Sequence, residues 1–226
     1  MRYKGILLDI DNTLYDYSKA HEFSRDRVLD LCINEFNIEK KIIIDAYNKA
    51  RKRVHIELSE TASSHNRLLY FQKMMEILQL NSLENSMRLY NVYWNFFLDK
   101  MTPYDDIYKL LEKYKYRICL VTDLTAHIQY RKIQKLNLDK YCNCIVTSEE
   151  AGKEKPHPYM FMMALTKLNL NPEDVCMIGD SFKKDIFGAT NLGIKSIWLN
   201  HEDKKENYDS ELVQEVKTFK EILELV

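Results

Sequence analysis

The sequence GILLDIDNTLYDY, residues 5–17, joins a short apolar segment to a group of acidic residues. Two aspartates, Asp9 and Asp11, are separated by one residue at the end of the apolar segment, and Thr13 follows two positions later. In an extended segment residues i and i+2 face the same side, so both carboxylates can meet one ligand if the extended geometry persists through residue 11. Because the two negative charges repel each other, we expect a cation beside them, and a divalent ion such as Mg²⁺ is the obvious candidate.

The composition is that of a globular protein. The chain has 226 residues, and 46% of them are hydrophobic, which suffices for one sizeable domain or for a domain with a substantial insertion. Lys plus Arg (33) nearly balance Asp plus Glu (34), so the charge gives no reason to expect a nucleic acid polymer or an acidic membrane surface as a partner. Because the sequence has neither a leader-like start nor an apolar run of about 18 residues, we expect a cytoplasmic protein.

Glycine and proline divide the chain into two regions. Residues 14–101 contain neither, and their apolar positions recur at helical spacing, which predicts about four helices. After Pro103, short apolar segments alternate with helical stretches, which is typical of βαβ units and a parallel sheet. The predicted strands cover residues 4–9, 116–122, 143–147, 174–180 and 195–199, and residues 207–225 are expected to form a closing helix. We therefore expect an α/β fold, with a Rossmann-like parallel-sheet core (residues 1–14 and 102–226) interrupted by an inserted helical domain (residues 15–101).

Further polar residues lie at or just beyond the ends of predicted strands, where parallel α/β sheets bind their ligands. They are Thr122 and Asp123 after one strand, Lys155 in the loop GKEKPHP (152–158), and Asp180 and Asp185 in IGDSFKKD (178–185). The hydroxyl of Thr122 and the adjacent backbone N–H groups could hold a phosphate at the start of the next helix. Taken singly, the aspartates could cap turns or helices, and the lysine could be a solvated loop charge. Their order along the chain favours one shared site.

This arrangement resembles the haloacid dehalogenase-like (HAD) superfamily of hydrolases, and the resemblance covers essentially the whole chain. The segment DIDNT is similar to the first motif of the family, DxDx(T/V), and LVTD is similar to the second. KEKPHP resembles the third motif, a lysine before a proline, and IGDSFKKD resembles the fourth, GDxxxxD. The insertion between the first two motifs is similar to the helical cap of subclass I. The segments TLYDYSKA and SEEAGKEKPHPYMF are most similar to the 5′-nucleotidase and N-acylneuraminate-9-phosphatase branches.

The resemblance implies a magnesium-dependent phosphatase that hydrolyses a small phosphorylated metabolite, a nucleotide or sugar phosphate, through an aspartyl-phosphate intermediate. It makes Asp9 the nucleophile and Asp11 the general acid/base, which would start protonated, donate to the leaving alcohol and later take a proton from water. Dehalogenating members lack the second aspartate because a halide needs no proton, so Asp11 favours phosphate chemistry. Asp180 would hold magnesium together with Asp9 and the backbone carbonyl of Asp11, and Asp185 would support that site.

The resemblance also implies which residues bind the transferring phosphoryl group. They would be Thr122, with Asp123 beside it, and Lys155. Lys153 competes for the lysine role, but Lys155 directly precedes Pro156, as the motif prefers.

Substrate choice would depend on the cap, because capped members close it over the core, with segments near residues 14–20 and 98–104 as hinges. The cap sequence SSHNRLLYF (63–71) places His65 and Arg67 before an apolar helical run. Arg67 or His65 would reach toward a carboxylate or a second phosphate of the substrate, unless these residues only form an exposed helix start. Further candidates of the same kind are Tyr15, Tyr17, His21 and Arg25.

Two alternatives use the same residues. A sugar phosphomutase of the same superfamily would return the phosphoryl group to a turned substrate rather than to water, and nothing in the core motifs excludes it. A receiver-like signalling module also forms an aspartyl-phosphate on an α/β sheet, but the helical insertion and the position of Asp11 argue against it. In the favoured interpretation, the partner is a small phosphorylated metabolite.

Overall fold

A computed structural model describes residues 2–226, which divide into two compact units. One unit contains residues 2–16 and 102–226 and has an α/β structure, whereas the other contains residues 17–101 and is helical. Among the described residues, no helix combines the length and the apolar character that crossing a membrane requires.

The helical unit contains four α-helices, the number expected from its lack of glycine and proline. Their bounds are α1 (Tyr17–Phe36), α2 (Lys40–Glu57), α3 (Arg67–Ile77) and α4 (Ser82–Lys100). A short 3₁₀ turn, Ala62–His65, precedes α3, and Asn66 caps that helix by accepting the backbone N–H of Leu68 at 2.9 Å. A buried aromatic cluster on α3 and α4 consists of Tyr70, Phe71, Tyr93, Trp94 and Phe97.

The α/β unit is built on one parallel sheet of six strands in the order β3-β2-β1-β4-β5-β6. The strands are β1 (Gly5–Leu8), β2 (Ile118–Thr122), β3 (Cys144–Thr147), β4 (Val175–Gly179), β5 (Lys195–Leu199) and β6 (Val213–Val216). In β1, Leu8 pairs with Leu120 of β2 on one side and with Ile178 of β4 on the other. The strand order therefore reverses between β1 and β4, which leaves a crevice beyond the carboxyl ends of these two strands. The predicted Rossmann-like α/β fold is confirmed.

Six α-helices lie in the described part of the α/β unit, besides short 3₁₀ helices at Leu138–Lys140 and Pro172–Asp174 and a π-helix at Phe182–Ile186. The α-helices are α5 (Ile107–Lys113), α6 (Ala126–Lys135), α7 (Ser148–Ala151), α8 (Pro158–Leu168), α9 (Phe187–Thr190) and α10 (Phe219–Leu225). Phe161 and Ala164 of α8 pack in one buried cluster with Leu7, Val121 and Met177 of the sheet. Every residue of β1, β2 and β4 is buried, which explains why these strands are continuous apolar runs in the sequence.

The prediction of one closing helix over residues 207–225 is wrong. Residues 213–216 form β6, which extends the sheet by pairing with β5, and the helix begins only at Phe219. Val213 is buried in a cluster with Trp198 and Ile186, and a β-branched side chain suits a strand covered in this way. Because the apolar spacing of this segment is also compatible with a helix, only the contact with β5 decides for the strand.

Candidate active site

Two aspartates come together where the strand order reverses. Asp9 directly follows β1, and Asp180 directly follows β4. The Thr13 hydroxyl donates to Asp9 Oδ2 at 2.9 Å, lies 3.4 Å from Asp180 Oδ1, and accepts the backbone N–H of Asp180 at 3.1 Å. Thr13 therefore joins the two strand ends, and the site occupies the crevice that the sheet topology leaves open.

Lys155 is a buried cation between two carboxylates. Its Nζ donates to Asp9 Oδ1 and Asp185 Oδ1, both at 2.6 Å, and to the carbonyl of Val121 at 3.0 Å, so all three ammonium hydrogens have acceptors. Burial would lower the pKa of Lys155, but the charges of Asp185 and Asp9 outweigh it and raise that pKa well above its ordinary value. Lys155 is therefore positively charged beside Asp9. Lys153, the competing lysine, is exposed.

Asp185 reaches the site because residue 179 is a glycine. A Cβ atom on Gly179 would lie 2.5 Å from Cγ of Asp185, far inside van der Waals contact. The second carboxylate oxygen of Asp185 accepts the backbone N–H of Ser181 at 3.0 Å, which fixes the side chain under the loop. In the fourth motif, Gly179 is therefore needed because it leaves room for Asp185, whereas Asp180 is needed for its carboxylate.

The three carboxylates of Asp9, Asp180 and Asp185 form a cluster that can hold a metal ion. Each offers one oxygen, and these oxygens lie within 4.8 Å of one another. Burial raises the pKa of Asp9 to about 7 and that of Asp180 to about 8, and the neighbouring carboxylates act in the same direction, although Lys155 opposes them. Without a further cation, protons therefore compensate part of the negative charge.

Asp11 faces a different partner, the fully buried Lys132 of α6. Its two carboxylate oxygens lie 2.7 and 2.8 Å from Lys132 Nζ, and Tyr15 and Gln129 also donate to them. Burial would raise the pKa of Asp11, but Lys132, Tyr15 and Gln129 outweigh it and hold the pKa below its ordinary value. The arrangement favours the ionised carboxylate, whereas the sequence led us to expect a protonated Asp11 at the start of the reaction.

The charges of the site do not balance. Four carboxylates, those of Asp9, Asp11, Asp180 and Asp185, face two buried ammonium groups, Lys132 and Lys155, which leaves a formal charge of −2. An all-oxygen donor set with two excess negative charges suits a hard divalent cation. The residues present therefore fit the ion that the sequence leads us to expect.

Sequence reasoning missed Gln129 and Lys132. Gln129 Nε2 donates to Thr122 Oγ1 and to the backbone carbonyl of Asp123, both at 2.7 Å. Gln129 and Lys132 are three positions apart on α6 and are buried together with Ile128 and Ile133. Two polar residues on the apolar face of the helix that follows the second motif were the signal that could have found them.

Asp123 is placed by ion pairing. Its Oδ1 accepts the backbone N–H of Lys155 at 3.0 Å, and its Oδ2 accepts from Lys184 Nζ at 2.7 Å. The carboxylate thus holds Lys155 in place, and any phosphate contact would have to come from the backbone of Asp123. Phosphate binding by Thr122, Asp123 and Lys155 stays a prediction.

Arg67 lies in the helical unit and is buried. Only 5% of the residue is exposed, so the alternative of an exposed helix start does not hold for it. Its Nη1 donates to the carbonyl of His65 at 2.6 Å, and its Nη2 donates to the hydroxyl of Tyr17. His21, another candidate, shares a hydrogen bond of 2.6 Å with the hydroxyl of Tyr93.

Relatives with known names match almost the whole chain. The sequence is 29% identical to ribulose-1,5-bisphosphate 5-phosphatase of Halopiger xanaduensis, over 91% of this chain and 88% of that protein. It is 28% identical to glyceraldehyde 3-phosphate phosphatase of Pyrococcus furiosus, over 99% of this chain and 94% of that protein. It is 24% identical to N-acylneuraminate-9-phosphatase of Homo sapiens, over 88% and 83%.

The fold has solved counterparts as well. The hydrolase YfnB of Bacillus subtilis superposes with a TM-score of 0.72 at 19% identity, over 100% of this chain and 99% of that one. A family model described as haloacid dehalogenase-like hydrolase matches residues 3–193, which include all four motif segments at the strand ends. The chain therefore belongs to the haloacid dehalogenase-like hydrolases and is an enzyme of that family.

Proposed function

We propose that the protein is a magnesium-dependent phosphatase that hydrolyses a small phosphorylated metabolite of the sugar phosphate type through an aspartyl-phosphate on Asp9. The observation that carries the proposal is the group formed by the buried residues Asp9, Lys155 and Asp185 and the partly buried Asp180. A second carboxylate, Asp11, lies two residues from the nucleophile. The relatives named above are phosphatases of sugar phosphates, which supports this substrate class.

The first chemical step would be attack of an Asp9 carboxylate oxygen on phosphorus. The bond from phosphorus to the alcohol oxygen breaks, and the alcohol leaves with a proton supplied by Asp11. Lys155 would offset the repulsion between the carboxylate and the dianionic phosphate. Because Lys132 favours ionised Asp11, the carboxylate has to gain a proton before this step.

The second step would be hydrolysis of the aspartyl-phosphate. Water attacks phosphorus and gives a proton to Asp11, the bond to Asp9 breaks, and inorganic phosphate leaves. The ionised state that Lys132 imposes on Asp11 suits this role as a base. One carboxylate would thus alternate between two protonation states in each cycle.

The residues for magnesium would be Asp9, Asp180 and the backbone carbonyl of Asp11, with Asp185 in support. When bound, the ion supplies positive charge that stabilises the transferring phosphate. The excess charge of the carboxylates and their oxygen donors support this assignment.

Magnesium affinity is expected to rise with pH. At pH 6 protons occupy Asp9 and Asp180, whose pKa values of about 7 and 8 exceed the ordinary value, and they must leave before the metal binds. The dissociation constant measured by calorimetry should fall by at least about tenfold between pH 6 and pH 8. The metal-free protein should lose stability over the same range, because its folded state holds protons that the unfolded chain releases. A pH-independent affinity would contradict the assigned ligands, as would full activity in excess chelator.

Lys132→Met is expected to change the pH dependence of turnover. Lys132 lowers the pKa of Asp11, so its loss should raise that pKa and move the acidic limb of the kcat profile to higher pH. We expect kcat near neutral pH to fall by about 10²-fold. Lys135→Met, which removes an exposed lysine of the same helix, should leave the profile in place. If both variants keep the wild-type profile, Lys132 does not position or tune Asp11.

A screen of phosphorylated metabolites with magnesium present tests the proposed function. We expect release of inorganic phosphate together with the free alcohol, and higher kcat/KM on sugar phosphates than on nucleotides. A phosphomutase would instead convert one sugar phosphate into an isomer without releasing phosphate, which product analysis by NMR would detect. No release from any ester in the panel would contradict the proposal.

We also propose that the helical insertion, residues 15–101, acts as the cap that selects the substrate, and that Arg67 contributes to this choice. Arg67 supports this proposal because it is a buried cation in the unit of residues 17–101, which contains none of the four motif segments.

A further inference from the structure

Arg67 is a buried cation without a counter-ion. No carboxylate among residues 2–226 forms an ion pair with it, and its Nε is buried without a hydrogen-bond partner. Its other contacts are neutral: the hydrogen bonds to His65 and Tyr17, and three aromatic rings. The guanidinium carbon lies 5.2, 5.7 and 5.9 Å from the ring centres of Tyr70, Tyr93 and Trp94.

These neutral contacts do not compensate the charge. Moving an ion from water to a protein interior costs more than a few cation–π contacts return. Burial would lower the pKa of Arg67, but the surrounding tyrosines outweigh it and keep that pKa above its ordinary value, so the guanidinium stays protonated. A permanently charged group that is buried with a free donor is suited to bind an anion.

The charges that act most strongly on His21 and Tyr47 in the same unit are those of Arg67, Arg51 and Arg25. Burial, together with the charges of Arg67, Arg51 and Arg25, lowers the pKa of His21 to about 3, which favours a neutral imidazole there. The carboxylate of Asp26 is already paired with Arg25 at 2.8 Å. Tyr47 packs with its ring centre 6.5 Å from that of Tyr70, and its hydroxyl is a second buried donor without a partner.

We propose that the helical unit contains an anion-binding site at Arg67, in which Arg67 Nε and the Tyr47 hydroxyl donate to a small organic anion with a carboxylate or phosphate group. A guanidinium recognises such planar or tetrahedral oxyanions through parallel hydrogen bonds. The anion has two possible sources, a second anionic group on the substrate or a separate effector. The first source rests on the proposed phosphatase function, and the second does not.

Binding of malonate to the metal-free 226-residue protein tests the site directly. We expect calorimetry to show binding to the wild type and at least about tenfold weaker binding to Arg67→Met, the range of a charge-assisted hydrogen bond. Arg67→Lys keeps the charge but lacks the fork of donors and should also bind more weakly. Arg88→Met is the matched control, since Arg88 lies in the same unit but is paired with Glu35 at 2.6 and 2.9 Å. Absence of binding to the wild type, or wild-type affinity of Arg67→Met for malonate, overturns the proposal.

Urea unfolding distinguishes a ligand-binding role of Arg67 from a purely structural one. If the buried charge has no partner, Arg67→Met should leave the urea midpoint of the ligand-free protein unchanged or higher, because the cost of burying an ion disappears. Malonate should raise the midpoint of the wild type and not that of the variant. A strongly lowered midpoint for Arg67→Met without ligand would show that the aromatic contacts alone explain Arg67, and would overturn the proposal.

Kinetics with two matched esters identifies the source of the anion. The pair is 3-phosphoglycerate and glycerol 3-phosphate, which differ in a carboxylate. If the substrate supplies the anion, the wild type should prefer 3-phosphoglycerate in kcat/KM by at least about tenfold, and Arg67→Met should lose this preference while Arg88→Met keeps it. If an effector supplies it, malonate should change the rate on both esters equally, and only in proteins with Arg67. Lack of hydrolysis of any ester would contradict the phosphatase function and leave the malonate measurement unaffected.

Discussion

Asp9→Asn is expected to abolish turnover while leaving the protein folded. The amide keeps the size of the carboxylate but is a poor nucleophile, so kcat should fall by at least about 10⁴-fold on every phosphate ester. The site should tolerate the change, because the amide oxygen can take the place of Oδ1 and accept from Lys155. The amide nitrogen then takes the place of Oδ2 and donates to the Thr13 hydroxyl, which can turn its own proton to Asp180 Oδ1, 3.4 Å away. The measurement is steady-state phosphate release combined with thermal unfolding.

Asp174→Asn serves as the matched control for the loss of a carboxylate. Asp174 lies immediately before β4, at the opposite end of that strand from Asp180, and pairs with the exposed Lys4 at 2.8 Å. Its replacement should leave turnover unchanged, since a surface ion pair contributes little. Near wild-type turnover by Asp9→Asn would show that another group attacks phosphorus, and the proposed mechanism would be wrong.

Lys155→Met is expected to reduce both stability and turnover. Removing one partner of a buried ion pair leaves an uncompensated charge, here on Asp9 and Asp185, and typically costs about 3–5 kcal/mol of unfolding free energy. Lys155 is proposed to offset the charge of the transferring phosphate, so its loss should lower kcat by about 10²–10³-fold. Lys155 lowers the pKa of Asp9, so the pKa should rise further in the variant, and the stability loss should shrink as the pH falls from 8 to 5.

Lys153→Met is the control, because Lys153 lies two residues away in the same loop and is exposed. Urea unfolding at pH 5 and pH 8 and phosphate release should show wild-type behaviour for this variant. If Lys153→Met instead has the larger effect on kcat, the lysine of the third motif is misassigned. If Lys155→Met is destabilised by the expected amount of about 3–5 kcal/mol but keeps the wild-type kcat, Lys155 has only a structural role.

Local sequence patterns sufficed for the framework of the molecule. The lack of glycine and proline in residues 14–101, together with the helical spacing of their apolar residues, predicted about four helices. The five apolar segments that end in polar residues predicted five strands of the parallel sheet. Helices and strands could be predicted because apolar residues close together in the sequence repeat with the period of a helix or a strand. The carboxyl ends of parallel strands meet at one edge of the sheet, so the gathering of Asp9, Lys155 and Asp180 could also be predicted.

Contacts between distant segments decided the rest. Residues 213–216 form a strand because they pair with the edge of β5. Lys132 reaches Asp11 because the buried face of α6 packs against the end of β1. Arg67 is covered by its neighbour Tyr70 and also by Tyr17 and Tyr93 of two other helices, and the local pattern around residue 67 does not specify the last two. Whether a charged side chain points to water or into the interior depends on which segments pack over it, and this information is not contained in the neighbouring sequence.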